Sequence, residues 1–156
     1  MTFPGRESEH GLAQAILAQA ADAVIFADPE GVIRIWNAAA ARIFGFTAEE
    51  TLGNSLDLII PDRLRPAHWT AFRRAMQSGT TRLNGRPTLT RGLHKSGRRL
   101  YVEMSFAVVR APSGLVAGSV AIARDVTQRQ EEERQRQWGT GSSESSRPAG
   151  CTAQQS

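Results

Sequence analysis

Histidine is the side chain best suited to hold a metal or move a proton near neutral pH, and this sequence has three: His10, His68 and His94. They are scattered and do not form a cluster with metal-ligand spacing. His68 stands apart by its setting. In IIPDRLRPAHWTAFRRAMQSG (59–79), Leu64, Ala67/His68, Ala71/Phe72 and Ala75/Met76 recur at steps of three and four, the pattern of a helix with one buried stripe. Pro61 turns the chain into this stretch and Ser78-Gly79 stops it. An imidazole on such a stripe either ligates something in the interior or simply packs, and the spacing leaves both readings open. Other chemistry is not signalled. The sequence has no GxxxxGK phosphate loop, no HExxH, no GxSxG and no cysteine–histidine pair inside the fold. No two carboxylates are obviously paired for acid–base work, so catalysis is not expected.

The formal net charge of +4 is unevenly spread. Between Asp62 and Arg99 lie Arg63, Arg65, Arg73, Arg74, Arg82, Arg86, Arg91, Lys95, Arg98 and Arg99, with Asp62 the one acid. Such a band favours an anionic partner or the acidic groups of a bound cofactor, or is a solvated surface. Aromatic residues do not alternate with these arginines as stacking platforms would require, which argues against nucleic acid. Cys151, the single cysteine, gives no disulfide framework. The N-terminus lacks a signal-peptide apolar run, and no stretch approaches the roughly 20 apolar residues of a membrane span. A soluble, cytoplasmic protein is expected.

With 156 residues the chain has the size of one domain with extensions. Residues 9–21 read as an alanine-rich helix bearing Leu12, Ile16, Leu17 and Ala20 on one side, which either meets a second copy of itself or folds back on its own domain. DAVIFAD (22–28) and VIRIWN (32–37) flank the turn PEG and form a hairpin. Asn37 opens a short helix that Gly45 closes, and Thr47 with Glu50 forms a capping box for another. After the long helix, 86–93 is mixed in character. Residues 98–110 alternate, with Val102, Met104, Phe106 and Val108 on one face; 115–126 is a further strand, small and apolar. The expected fold is α+β: a five-stranded antiparallel sheet covered on one face by short helices and one long helix, spanning residues 22–126. An N-terminal extension (1–21), a polar helix or linker (127–138) and a disordered Gly/Ser/Gln-rich tail (139–156) flank it.

This order of elements resembles the PAS (Per-Arnt-Sim) sensory domain family. The residues that carry the resemblance are ADPEGVIRIWNAAAARIFGFTAEETLGNSL (27–56), LIIPDRLRPAH (58–68), HKSGRRLYVEMSF (94–106) and ARDVTQRQ (123–130), the last matching the family's Asp-x-Thr ending with Asp125 and Thr127. The resemblance implies a small ligand, cofactor or protein surface held between the long helix and the sheet. It also implies a signal passed to flanking helices, usually in dimers, here through residues 9–21. No kinase, cyclase, phosphodiesterase or helix-turn-helix segment follows Thr127 in this sequence, so the signal would pass to a separate protein or to a further part of a larger product. Met104, Phe106, Val120 and Ile122 are expected to face the helical layer carrying His68 and Phe72 and to form an apolar pocket wall.

LRPAH before an arginine-rich helix is similar, within the family, to the haem-binding domains of bacterial oxygen sensors. That similarity implies haem b with His68 as its axial ligand, a role an imidazole facing an apolar pocket can fill. Were haem present, Met104 would point into its distal side and be a candidate sixth ligand. The positions that in those sensors carry a distal arginine, and in some a methionine ligand, here read Thr88 and Arg86, a departure from the pattern. The alternatives are a different small ligand, or an empty, packed core serving protein interaction.

Overall fold

The structure, a computed structural model, describes residues 6–140. The chain divides into two units, 1–126 and 127–156. The first begins with helix α1 (Arg6–Gln19), followed by strands β1 (Ala23–Ala27) and β2 (Ile33–Trp36) and short helices α2 (Ala38–Phe44) and α3 (Ala48–Thr51). Two 3₁₀ turns, Leu56–Leu58 and Asp62–Leu64, lead into α4 (Arg65–Ser78), and β3 (Thr88–Leu93), β4 (Arg99–Arg110) and β5 (Val116–Asp125) complete the sheet.

The five strands are ordered β2-β1-β5-β4-β3 and every pairing is antiparallel. First and last strands in sequence lie side by side at the centre, which brings the start and end of the domain together. Helix signals in the sequence act as expected. Asn37 caps α2 by accepting from Ala40 N–H, and Thr47 and Glu50 form the reciprocal capping box of α3. Gly45 and Gly79 end α2 and α4 in the left-handed conformation, each donating its N–H back to a helix carbonyl.

The long helix starts later than its apolar pattern suggests. Residues 56–58 and 62–64 fold as separate 3₁₀ turns on either side of Pro61, which has no N–H to give, and Pro66 lies in the first turn of α4, which starts at Arg65. Within α4, Phe72 is buried and His68 and Met76 are half-buried, whereas Ala67 and Ala71 are exposed. The buried stripe is therefore narrower than the alanines imply. The mixed stretch 86–93 yields β3, an edge strand, where Gly92 passes under Phe44 so closely that an added Cβ would lie 2.9 Å from its ring.

The second unit is described as one helix, α5 (Thr127–Thr140). Its polar face is laced by Arg129–Glu133 at 3.3 Å and Gln128–Glu132 at 2.9 Å, both four residues apart. Most of the expected tail, residues 141–156 with Cys151, lies outside the described residues.

Candidate functional site

A cavity of about 110 Å³ lies between α4 and the inner face of the sheet. Ile25 and Ala27 of β1, Met104 and Phe106 of β4 and Ser119 and Ala121 of β5 supply the sheet side. Phe44, Leu56, Ile59, Ile60, Leu64, His68 and Phe72 supply the helical side, and Thr90, Arg91 and Gly92 of β3 complete the wall. Polar groups are few, and the Arg91 guanidinium is held 5.1 Å from the Tyr101 ring centroid.

His68 is the polar feature of the helical wall. Its ring lies edge-on to Trp69 at 4.9 Å and roughly stacked on Phe72 at 5.9 Å, and its Nδ1 is buried without a hydrogen-bond partner. Buried polar atoms are normally paired, so this nitrogen marks a place where a partner is missing. Burial pushes the imidazole below its ordinary value of 6.5, opposed by the nearby Asp57 carboxylate, and it is neutral at physiological pH.

The residues around His68 are firmly fixed. Trp69 Nε1 donates to Asp57 Oδ1 at 2.8 Å, and its ring covers Gly31, where a Cβ would fall 2.2 Å from the indole. Arg65 donates to the carbonyls of Ile60 (3.2 Å) and Asp57 (3.0 Å) and pairs with Asp62 at 2.9 Å. These contacts tie the start of α4 to the preceding turns and set the direction in which His68 enters the wall.

A neutral histidine whose protonation is opposed by burial gives a signed pH effect. The unfolded chain, with its histidine near 6.5, takes up a proton that native His68 resists. The contribution is intact above about pH 6.5 and is lost as pH falls through that value toward the depressed native one. Urea titrations at pH 7.5 and 5.0 should show a smaller pH-dependent loss of stability in His68→Phe than in the parent chain. Equal losses would show that His68 is not desolvated.

Of the residues expected at the pocket, His68, Phe72, Met104 and Phe106 line the cavity. Val120 and Ile122 do not. In the β4–β5 register Phe106 faces Ala121 and Met104 faces Ala123, so Val120 and Ile122 point to the opposite side of the sheet, where Ile122 is 38% exposed. A slip of one residue moves a whole strand face, and VAGSVAIA is apolar on both faces. Arg86 is exposed in the loop after Asn84–Gly85 and is not on the wall. Thr88 pairs with Met104 and shares its face but lies at the strand's outer end, beyond the cavity. Phe44, Ile25 and Ala121 were not foreseen as wall residues. Phe44 carried a usable signal, an aromatic residue just before a helix-terminating glycine.

His68 is chemically suited to axial ligation, yet the cavity is not suited to a haem. Pockets for drug-sized ligands run roughly 300–1,000 Å³, several times this volume, and a tetrapyrrole is larger than such ligands. Among the described residues no group of three or more His, Cys, Asp or Glu side chains is placed to hold a metal ion. None of the described helices is long and apolar enough to cross a membrane.

Residues 17–131 match the family model of the PAS fold. The chain belongs to the PAS-fold family. It is 28% identical over 119 residues to the oxygen sensor protein DosP of Escherichia coli (strain K12), covering 76% of this chain and 14% of that protein. It is 25% identical over 118 residues to the sensor protein FixL of Bradyrhizobium diazoefficiens, covering 76% of this chain and 23% of FixL. The chain thus spans less than a quarter of either relative. Among solved structures, an RNA-binding Light-Oxygen-Voltage receptor superposes with TM-score 0.70 at 24% identity over 90% of this chain and 41% of the receptor. A PAS domain from Colwellia psychrerythraea gives 0.66 at 19% identity over 77% of this chain and 98% of its own.

Proposed function

We propose that this PAS domain is a non-catalytic sensory module. It takes a small, mostly apolar ligand into the cavity under α4 and relays its presence through the flanking helices to a separate output partner. The observation that carries this reading is the unpartnered Nδ1 of His68 in a mostly apolar wall. A ligand offering one hydrogen-bonding atom and a compact apolar body satisfies both. The size is set by the volume: an engineered apolar cavity of about 150 Å³ holds benzene, so about 110 Å³ suits a molecule of at most one small ring. A thermal-shift screen of small neutral molecules tests this, since a ligand at about 100 times its Kd that binds only the folded state adds about 2.7 kcal/mol. Hits should stabilise the parent chain and lose most of that effect in His68→Ala. A screen without hits, or hits indifferent to His68, would refute the reading.

A second reading, haem b with His68 as axial ligand, is supported by the similarity to a protein named as an oxygen sensor, while the small cavity weighs against it. Adding haemin to the purified chain separates the two. A Soret band that disappears in His68→Ala supports haem; no uptake removes it.

The proposed homodimer uses α1, whose Leu12 and Ile16 are 46% and 60% exposed. Sedimentation equilibrium should give a dimer that Ile16→Glu dissociates; a monomeric parent chain would end the proposal.

A further inference from the structure

Asn37 gathers three elements on one buried carboxamide. Its Oδ1 accepts from the N–H groups of Val24 at 2.9 Å and Ala40 at 3.0 Å, and its Nδ2 donates to the carbonyls of Leu17 at 3.0 Å and Asp22 at 3.1 Å. Capping α2 requires only the Ala40 bond. The other three reach elsewhere. Leu17 lies in the last turn of α1, where backbone carbonyls have no partner within the helix, and that turn is followed by no glycine to close it. The residue that starts α2 therefore also secures the end of α1.

Both other elements held by Asn37 border the cavity. Val24 precedes Ile25, which with Ala27 forms the β1 part of the wall, and α2 ends in Phe44, which forms part of the helical side. A second tie follows the same route. Arg124 of β5 grips both carboxylate oxygens of Asp22, at 3.0 and 2.8 Å, from the strand that carries Ala121 into the cavity. That pair is largely exposed and contributes little by itself, whereas Asn37 is a buried, hydrogen-bonded connection between β1, α2 and the last turn of α1.

We propose that Asn37 is the positioning residue through which the contents of the cavity act on α1, its carboxamide carrying displacements of β1 and α2 into the helix's last turn. The biological meaning rests on the cavity being the sensing site, but the mechanical link belongs to the fold and is testable without a ligand. Ala121→Ile puts added side-chain volume into the cavity, in place of a bound molecule. Hydrogen exchange of the full-length chain, read by mass spectrometry, then follows the amides of residues 15–20.

Coupling free energies between sites correspond to about 5–150-fold effects, so Ala121→Ile should alter exchange in α1 by about fivefold or more. Repeating the substitution with Asn37→Ser, which keeps a capping hydroxyl but loses both donors, should abolish that response. Asn37→Asp, isosteric and likewise without the donors, carries the same expectation and serves if the serine variant does not fold. The same response with and without the carboxamide, or no response in the parent chain, would overturn the proposal. A cavity that binds no small molecule would not, because no ligand enters the experiment.

Discussion

Gly118→Ala is expected to cost the fold about 3 kcal/mol or more. An added Cβ would stand 2.1 Å from the Ala27 carbonyl oxygen and 2.8 Å from the Phe26 ring, at a φ of +152° that other residues rarely adopt. The obstacle is the backbone of the neighbouring central strand, so no side-chain rotation relieves it. Overpacking in a dense core costs roughly 1–3 kcal/mol, and an unfavourable backbone conformation about 1–3 kcal/mol more. Against a total stability of about 5–15 kcal/mol, that is a large share. Urea unfolding should show a lower midpoint with an unchanged slope. Because Ala27 also lines the cavity, a folded Gly118→Ala chain should bind small ligands less well. A change within about 0.5 kcal/mol, ordinary for a surface site, would mean that β1 and β5 are not packed as described.

Phe44→Ala should be similarly costly and, in addition, should change what the pocket accepts. Phe44 is 1% exposed, lies 5.6 Å from Trp36 in a tilted ring pair and rests over Gly92. Truncating a buried phenylalanine typically costs about 3–5 kcal/mol. The lost ring would also leave space continuous with the cavity it lines. Phe44→Leu, which keeps most of the volume, should cost less and leave ligand size almost unaltered. In the thermal-shift screen, Phe44→Ala should admit larger molecules than the parent chain does. A stable alanine variant with unchanged ligand size would place Phe44 outside both core and pocket wall.

The sequence revealed the fold more fully than the site, for reasons visible in particular residues. Asn37, Thr47 and Glu50, and the glycines at 45 and 79, act through local backbone geometry, which neighbouring residues dictate. Alternation along 98–110 identified the inner face of β4 correctly, because Met104 and Phe106 are apolar where Glu103 and Tyr101 are not. No such contrast exists in β5. Val120, Ala121, Ile122 and Ala123 are all apolar, and only pairing with β1 and β4 decides that the alanines face inward. His68 was recognisable from helical spacing, but its unpartnered nitrogen depends on the packing of Trp69 and Phe72. The arginine band likewise resolves only in three dimensions. Arg65 and Lys95 are committed to Asp57, Asp62 and Glu50, and Arg91 lies over Tyr101.

The proposed ligand site is the hollow between α4 and the inner sheet face, with His68 as its anchor. The most direct test is an NMR titration of the labelled chain with phenol and with imidazole, each one ring with hydrogen-bonding capacity. Saturable shifts of the Ile25, Ile59 and Met104 methyl signals, with Ile122 on the opposite face unmoved and the response weakened in His68→Ala, are the predicted result. Shifts centred on Ile122, or none at the inner-face methyls, would show that no ligand enters the hollow beside His68.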